Sequence, residues 1–182
     1  MKVVVSDAGP LIHLAQINKL HLIKSLFENV LITQRIKREA FDEGVKLGHS
    51  DAGIIGKALD ERWMTVTHVP ERLAKTAHRL SSGENISFAD AETLLLAKDR
   101  KAELLVDDKV IADLAKMYRL EVWNTWTILL ESLKNGLIEV ADIEHAINEL
   151  GKKRHKLEEK QAAELLKTAE TIAAGKTTRN HS

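Results

Sequence analysis

Short apolar runs alternate with longer segments of helical spacing along most of the chain. Val3–Val5, Asn29–Thr33, Thr65–Val69, Leu104–Val106 and Leu120–Trp123 have the length and the β-branched or apolar character of buried strands. Segments 10–26, 34–46, 51–62, 71–80, 88–101 and 109–118 instead place apolar residues three and four apart, as core-facing helices do. Strands alternating with helices predict an α/β fold with a central, mainly parallel five-stranded sheet covered on both faces. Its crossovers are right-handed, and its functional site lies beyond the carboxyl ends of the strands. The polar residues that follow each run are therefore the ones to weigh.

The pattern changes after about residue 137. Two helices are expected over 140–150 and 157–174, with Lys152–Lys156 (KKRHK) between them and an irregular end over 175–182. Leu157, Ala162, Leu165, Leu166, Ala169 and Ile172 form one apolar stripe suited to docking or pairing. The organisation expected is thus a domain over 1–137 and a helical extension over 138–182. No run approaches the roughly 18 apolar residues of a membrane span. Lys2 with three valines is too short for a signal peptide, so a cytoplasmic protein is expected. Cysteine is absent, which excludes disulfides and thiolate metal sites.

Charge sharpens this division. The chain has no net charge, but residues 151–182 hold eight Lys/Arg against four Glu. An acidic body with a basic end fits a metal-binding core beside an arm that faces a polyanion.

Acids recur where the runs end. Asp7 follows the first run. Thr33 ends the second and can cap a helix carrying Glu39, Asp42 and Glu43. Asp90 and Glu92 lie in the first turns of a helix that Ser87 can open, and Asp107-Asp108 follow the fourth run. Each has an ordinary explanation. Asp7, Asp107 or Asp108 can cap helices, Glu39 can be a solvated helix residue, and Ser87-x-x-Asp90 resembles a capping box. Those explanations do not account for the order in which the acids recur. Gathering several carboxylates without a cation is strongly repulsive. A hard divalent ion such as Mg²⁺, an oxygen-seeking cation, removes the repulsion, and two such ions can orient water and leaving group in phosphodiester cleavage.

VVVSDAGPLIHLA, VLITQRIKREAF, SFADAETLLLA and LLVDDKVIADLAKMYRLEVWNT, with SLKNGLI closing the match, resemble the PIN-domain ribonucleases, in particular the VapC-like toxins. The resemblance covers residues 1–137 and leaves the terminal helices outside it. It implies a three-layer α/β/α sandwich and Mg²⁺- or Mn²⁺-dependent cleavage of RNA by activated water. It also implies a place in a toxin–antitoxin pair, with a cognate antitoxin as partner, and a homodimer. Carried over by position, it assigns catalysis to Asp7, Glu39, Asp90 and Asp108. The metal would be held by Asp7, Asp90 and Asp108, with Asp107 and Glu92 as supports or substitutes. Ala8 stands where many members carry Thr or Ser, with Ser6 or Asn124-Thr125 as the polar replacements.

A phosphate track would draw on Arg35, Lys37, Arg38, Lys109 or the Lys152–Lys156 cluster, and Trp63, Trp123 and Trp126 are candidate base-stacking rings. The eight histidines are scattered without an H-x-x-x-H pair, which argues against zinc. A second reading keeps the fold and makes the acids structural, giving a catalytically inactive RNA- or protein-binding module. Phosphoryl transfer of the haloacid-dehalogenase kind needs an acid two residues after the first, where this chain has Gly9. A receiver needs paired acids near the first run, and the chain lacks them.

Overall fold

The computed structural model describes residues 2–153 and 155–179 and contains five strands, all parallel, in the order β3-β2-β1-β4-β5. The strands are β1 (Val3–Ser6), β2 (Asn29–Thr33), β3 (Met64–Thr67), β4 (Glu103–Leu105) and β5 (Val122–Trp123). Val5 of the central β1 pairs with Leu31 on one side and Leu104 on the other. Val4 and Val5 point to opposite faces and both are fully buried, so helices must cover both sides of the sheet. On one face Val5, Leu104 and Val106 join a core with helices α6 (Glu71–Glu84), α7 (Phe88–Arg100) and α8 (Lys109–Met117). The expected α/β/α architecture is what forms.

Helix α1 (Ala8–Gln16) starts directly after β1 and packs on α5 (Ser50–Asp60). The segment expected as one helix over 10–26 is broken into α1 and α2 (His21–Leu26). Asn18 takes a left-handed conformation (φ 55°) between them, a state that asparagine tolerates better than most residues. Segment 34–46 is continuous but not uniform. It runs as α3 (Gln34–Lys37), a π-helical turn (Arg38–Asp42) and α4 (Glu43–Lys46).

Two close approaches hold that segment against α5. A Cβ on Gly44 would lie 2.9 Å from the Cβ of Ala52, and one on Gly56 would lie 2.7 Å from Cε2 of Phe41. Gly44 therefore lets its helix approach Ala52 more closely than a larger residue allows, and Gly56 leaves room for the Phe41 ring.

The second compact unit begins at Trp126, earlier than the 137/138 boundary the pattern suggested. The reason is α9 (Thr125–Lys134), a helix absent from the expected elements, which groups with α10 (Val140–Lys152) and α11 (Glu159–Arg179). A capping box opens α10, with the Glu139 amide donating to Asp142 at 2.9 Å. In the expected stripe of α11, Ala169 is buried and its neighbours are half-buried. Helix α11 continues through Arg179, so the irregular end expected from 175 is helical that far; residues 180–182 lie outside the described residues. Among the described residues no helix is long and apolar enough to cross a membrane.

Candidate active site

The carboxyl ends of β1, β2 and β4 deliver the acids. The ladder runs one residue beyond β1, because the Asp7 amide donates to the Leu105 carbonyl at 2.9 Å. Asp7 is thereby held beside the residues that leave β4. It occupies the N-cap position of α1, yet its side chain makes no capping hydrogen bond. No cap bond of ordinary geometry holds this carboxylate, although the Ala8 and Gly9 amides face it.

Its electrostatics point the same way. Burial is the first cause that pushes the Asp7 pKa up to about 7, and the negative charge of Asp90 is the second. Glu39 pushes in the same direction, while the backbone amides of Ala8 and Gly9 offset part of the rise. Glu39 is also raised, by loss of hydration and then by the charges of Asp90 and Glu43. Asp7, Glu39 and Asp90 thus share one field, although they come from three separated parts of the chain.

Each acid is placed by a local device. Thr33 caps α3 by accepting from the Ile36 amide at 3.2 Å, and Glu39 follows in the π-helical turn. A π turn widens the backbone and re-aims its side chains, and such turns are frequent at functional sites. Ser87 caps α7 by accepting from the Asp90 amide at 3.0 Å. Asp90 lends its backbone to the cap, so the capping-box reading does not use up its carboxylate.

The adjacent acids after β4 separate. Asp108 is exposed and caps α8, accepting from the Ile111 amide at 3.0 Å. Asp107 is the one turned toward Asp7. A Cβ placed on Gly9 would lie 3.8 Å from Oδ2 of Asp107 and 3.8 Å from Oδ2 of Asp7, so one small space borders both carboxylates. Asp107 accepts from the Thr125 amide at 2.8 Å, the Thr125 hydroxyl at 2.7 Å and Nδ1 of His13 at 2.6 Å. Burial would raise its pKa, but the bonds from His13 and Thr125 outweigh burial and hold it below the ordinary value. Asp7 is destabilised as an anion and Asp107 is stabilised as one.

Glu92 does not join this group. It is buried and paired with Nε of Arg35 at 3.1 Å. That ion pair accounts for its burial and sets it apart from its expected place as a substitute ligand.

Of the expected cations, Arg35 is committed to Glu92 and also lies over the Phe88 ring, 4.4 Å from its centroid. Lys37 pairs with Asp42 at 2.7 Å, Lys109 with Asp113, and Lys152 with Glu149 at 2.6 Å. Arg38 makes no ion pair among the described residues. It lines an open cavity of about 330 Å³ together with Arg35, Glu39, Glu43, Phe88 and Ala89. The tryptophans lie elsewhere. The Trp123 indole donates to Glu103 at 2.5 Å and meets Phe27 edge-on, toward the amino ends of the strands, and Trp63 precedes β3. Trp126 stacks on His155 within the second unit.

Sequence reasoning passed over His13. Its signal was present, since it is the polar residue in the otherwise apolar PLIHLA of the helix that follows Asp7. Of the replacements considered for Ala8, Thr125 reaches Asp107, whereas the Ser6 hydroxyl donates to the Asp7 carbonyl at 2.9 Å.

The acids gathered here offer carboxylate oxygens, and burial together with their mutual repulsion raises Asp7 toward neutrality. A hard divalent cation takes such ligands and would reverse the sign of that field.

Comparison with known proteins agrees with the fold. A family model described as a PIN domain matches residues 3–171, which extends past the expected end at 137 and takes in α10 and much of α11. Among solved structures, the crystal structure of PAE2754 from Pyrobaculum aerophilum matches with a TM-score of 0.53 and 18% identity, over 71% of this chain and 96% of that one. At that identity the likeness is one of fold. No curated protein matches the chain.

Proposed function

The chain belongs to the PIN-domain family, whose members are generally metal-dependent nucleases, and from that premise we propose that it is a Mg²⁺- or Mn²⁺-dependent endoribonuclease. The observation that carries this reading is Asp7. It is a carboxylate at the end of the central strand, not used as a cap, and pushed up to about 7 by burial and by the charges of Asp90 and Glu39.

Asp7, Glu39 and Asp90 are the proposed ligands, with Asp107 in place of Asp108 as the fourth acid. A cation held there would supply Lewis-acid activation of water and charge stabilisation at the phosphate. The chain's own residues supply the rest. The three repelling carboxylates gather the charge that holds the cation, and Asp107 stays anionic because His13 and Thr125 donate to it. Arg38, beside Glu39, is placed to receive a backbone phosphate, which positions RNA without reading its sequence. Glu92 holds Arg35 in place, and Asp108 starts α8.

The finer reading is a cytoplasmic toxin, acting as a homodimer and restrained by an antitoxin; its support is the VapC-like order of motifs. The alternative, an inactive binding module, makes the acids structural, and the frustration of Asp7 argues against it. Incubating a panel of RNAs with Mn²⁺ separates the two. Cleavage by the wild type and its loss in Asp7→Asn is the expected result. Equal behaviour of both proteins would remove the nuclease reading.

A further inference from the structure

Asp107 has a support that comes from outside its own strand and loop. Helix α1 starts at Ala8, immediately after Asp7, and carries His13 in its last turn. The same helix that leaves Asp7 uncapped therefore returns an imidazole to the acid at the end of β4. His13 Nδ1 lies 2.6 Å from Oδ2 of Asp107, and their side chains are 19% and 10% exposed. A contact so short and so shielded is a charge-assisted hydrogen bond, stronger and more directional than one in water.

The atom it holds matters. Oδ2 of Asp107 is the oxygen that borders, with Oδ2 of Asp7, the small space over Gly9. Thr125 grips the carboxylate on both oxygens, its amide on Oδ1 and its hydroxyl on Oδ2. His13 adds a donor from the helix that starts immediately after Asp7. Held by His13 as well as by Thr125, Oδ2 is fixed at the edge of that space.

We propose that His13 is a positioning residue of the acid site, fixing the Asp107 carboxylate in the orientation that a divalent cation requires. This rests on the metal-dependent reading above. Residues that hold a metal-ligating carboxylate in this way typically change metal affinity about 10–100-fold when removed.

The test titrates the full chain with Mn²⁺, following free Mn²⁺ by electron paramagnetic resonance, for wild type, His13→Leu, His13→Asn and Asp7→Asn. Asparagine can place an amide nitrogen near the position of Nδ1, whereas leucine fills the space without a donor. His13→Leu is expected to bind Mn²⁺ at least ~10-fold more weakly, and His13→Asn to stay within about threefold of wild type. Circular dichroism establishes that the variants are folded. If His13→Leu binds like wild type, or His13→Asn loses as much as His13→Leu, the positioning role is wrong while the metal-dependent reading stands. If wild type itself binds no Mn²⁺, all four titrations are flat; the metal-dependent reading then falls, and the positioning role with it.

Discussion

Replacing Asp7 by asparagine is expected to stabilise the metal-free protein, by more at high pH than at low. The reasoning starts from a carboxyl group whose pKa is about 7 in the folded chain against an ordinary 3.8. Below 3.8 both the folded and unfolded states hold the proton, and Asp7 contributes nothing. As pH rises toward 7 the unfolded chain ionises while the folded chain keeps its proton, so stability falls. Above 7 both are ionised and the full cost remains. Each tenfold difference in proton affinity is worth about 1.36 kcal/mol, which puts that cost on the order of 4 kcal/mol at pH 8 and about 2 kcal/mol at pH 5.5. Asparagine has nearly the same shape and caps helices as well as aspartate, so it removes the charge and little else. Urea denaturation of both proteins in EDTA at the two pH values gives the comparison. A gain of about 2–4 kcal/mol at pH 8 that shrinks by roughly half at pH 5.5 is expected. A variant no more stable than wild type at pH 8, or a gain that does not vary with pH, would refute the charge-frustrated cluster.

Two further outcomes follow from the same geometry. Gly44→Ala should destabilise the fold by about 1–2 kcal/mol, because a Cβ 2.9 Å from that of Ala52 must push α4 from α5, and overpacking outweighs alanine's better helix propensity. Thermal melts measure this, and the shift should carry a loss of RNA cleavage, since α4 directly follows the turn that bears Glu39. Arg38→Ala should weaken binding of single-stranded oligonucleotides in EDTA whatever their sequence, and should lower the salt slope by about 0.7, the value for one phosphate contact. Fluorescence anisotropy over a salt series checks this, with Lys109→Ala, already tied to Asp113, as the unaffected control.

Much of the fold is legible in the chain because its determinants are local. Runs such as Val3–Val5 and Asn29–Thr33 can be read as buried strands from three to five residues alone, and the intervening spacing dictates a parallel sheet. The acids are legible as a set for the same reason, since each follows a strand or opens a helix. What stays hidden depends on contacts distant in sequence. Asp107 and Asp108 are neighbours of the same type, and only the grip of Thr125 and His13 distinguishes the inward one from the cap. Glu92 looks like a spare ligand until Arg35, far away in the chain, claims it. The π turn at Glu39 has no sequence signature, because it accompanies the packing of Phe41 on Gly56 and of Gly44 on Ala52. The break at Asn18 was readable in principle, since asparagine between two apolar stretches marks a left-handed helix end.

The strand order has a consequence for how the molecule comes into being. Strand β1 is central, and its neighbour β4 is made about a hundred residues after it. At a synthesis rate of roughly 5–20 residues per second, the nascent chain spends several seconds or more with Asp7 present and Asp107 not yet made. Thr125, which grips Asp107, comes later still. A partly made chain therefore lacks the complete set of acids. The order of the strands delays assembly of the acid cluster until nearly all of the first unit has been made.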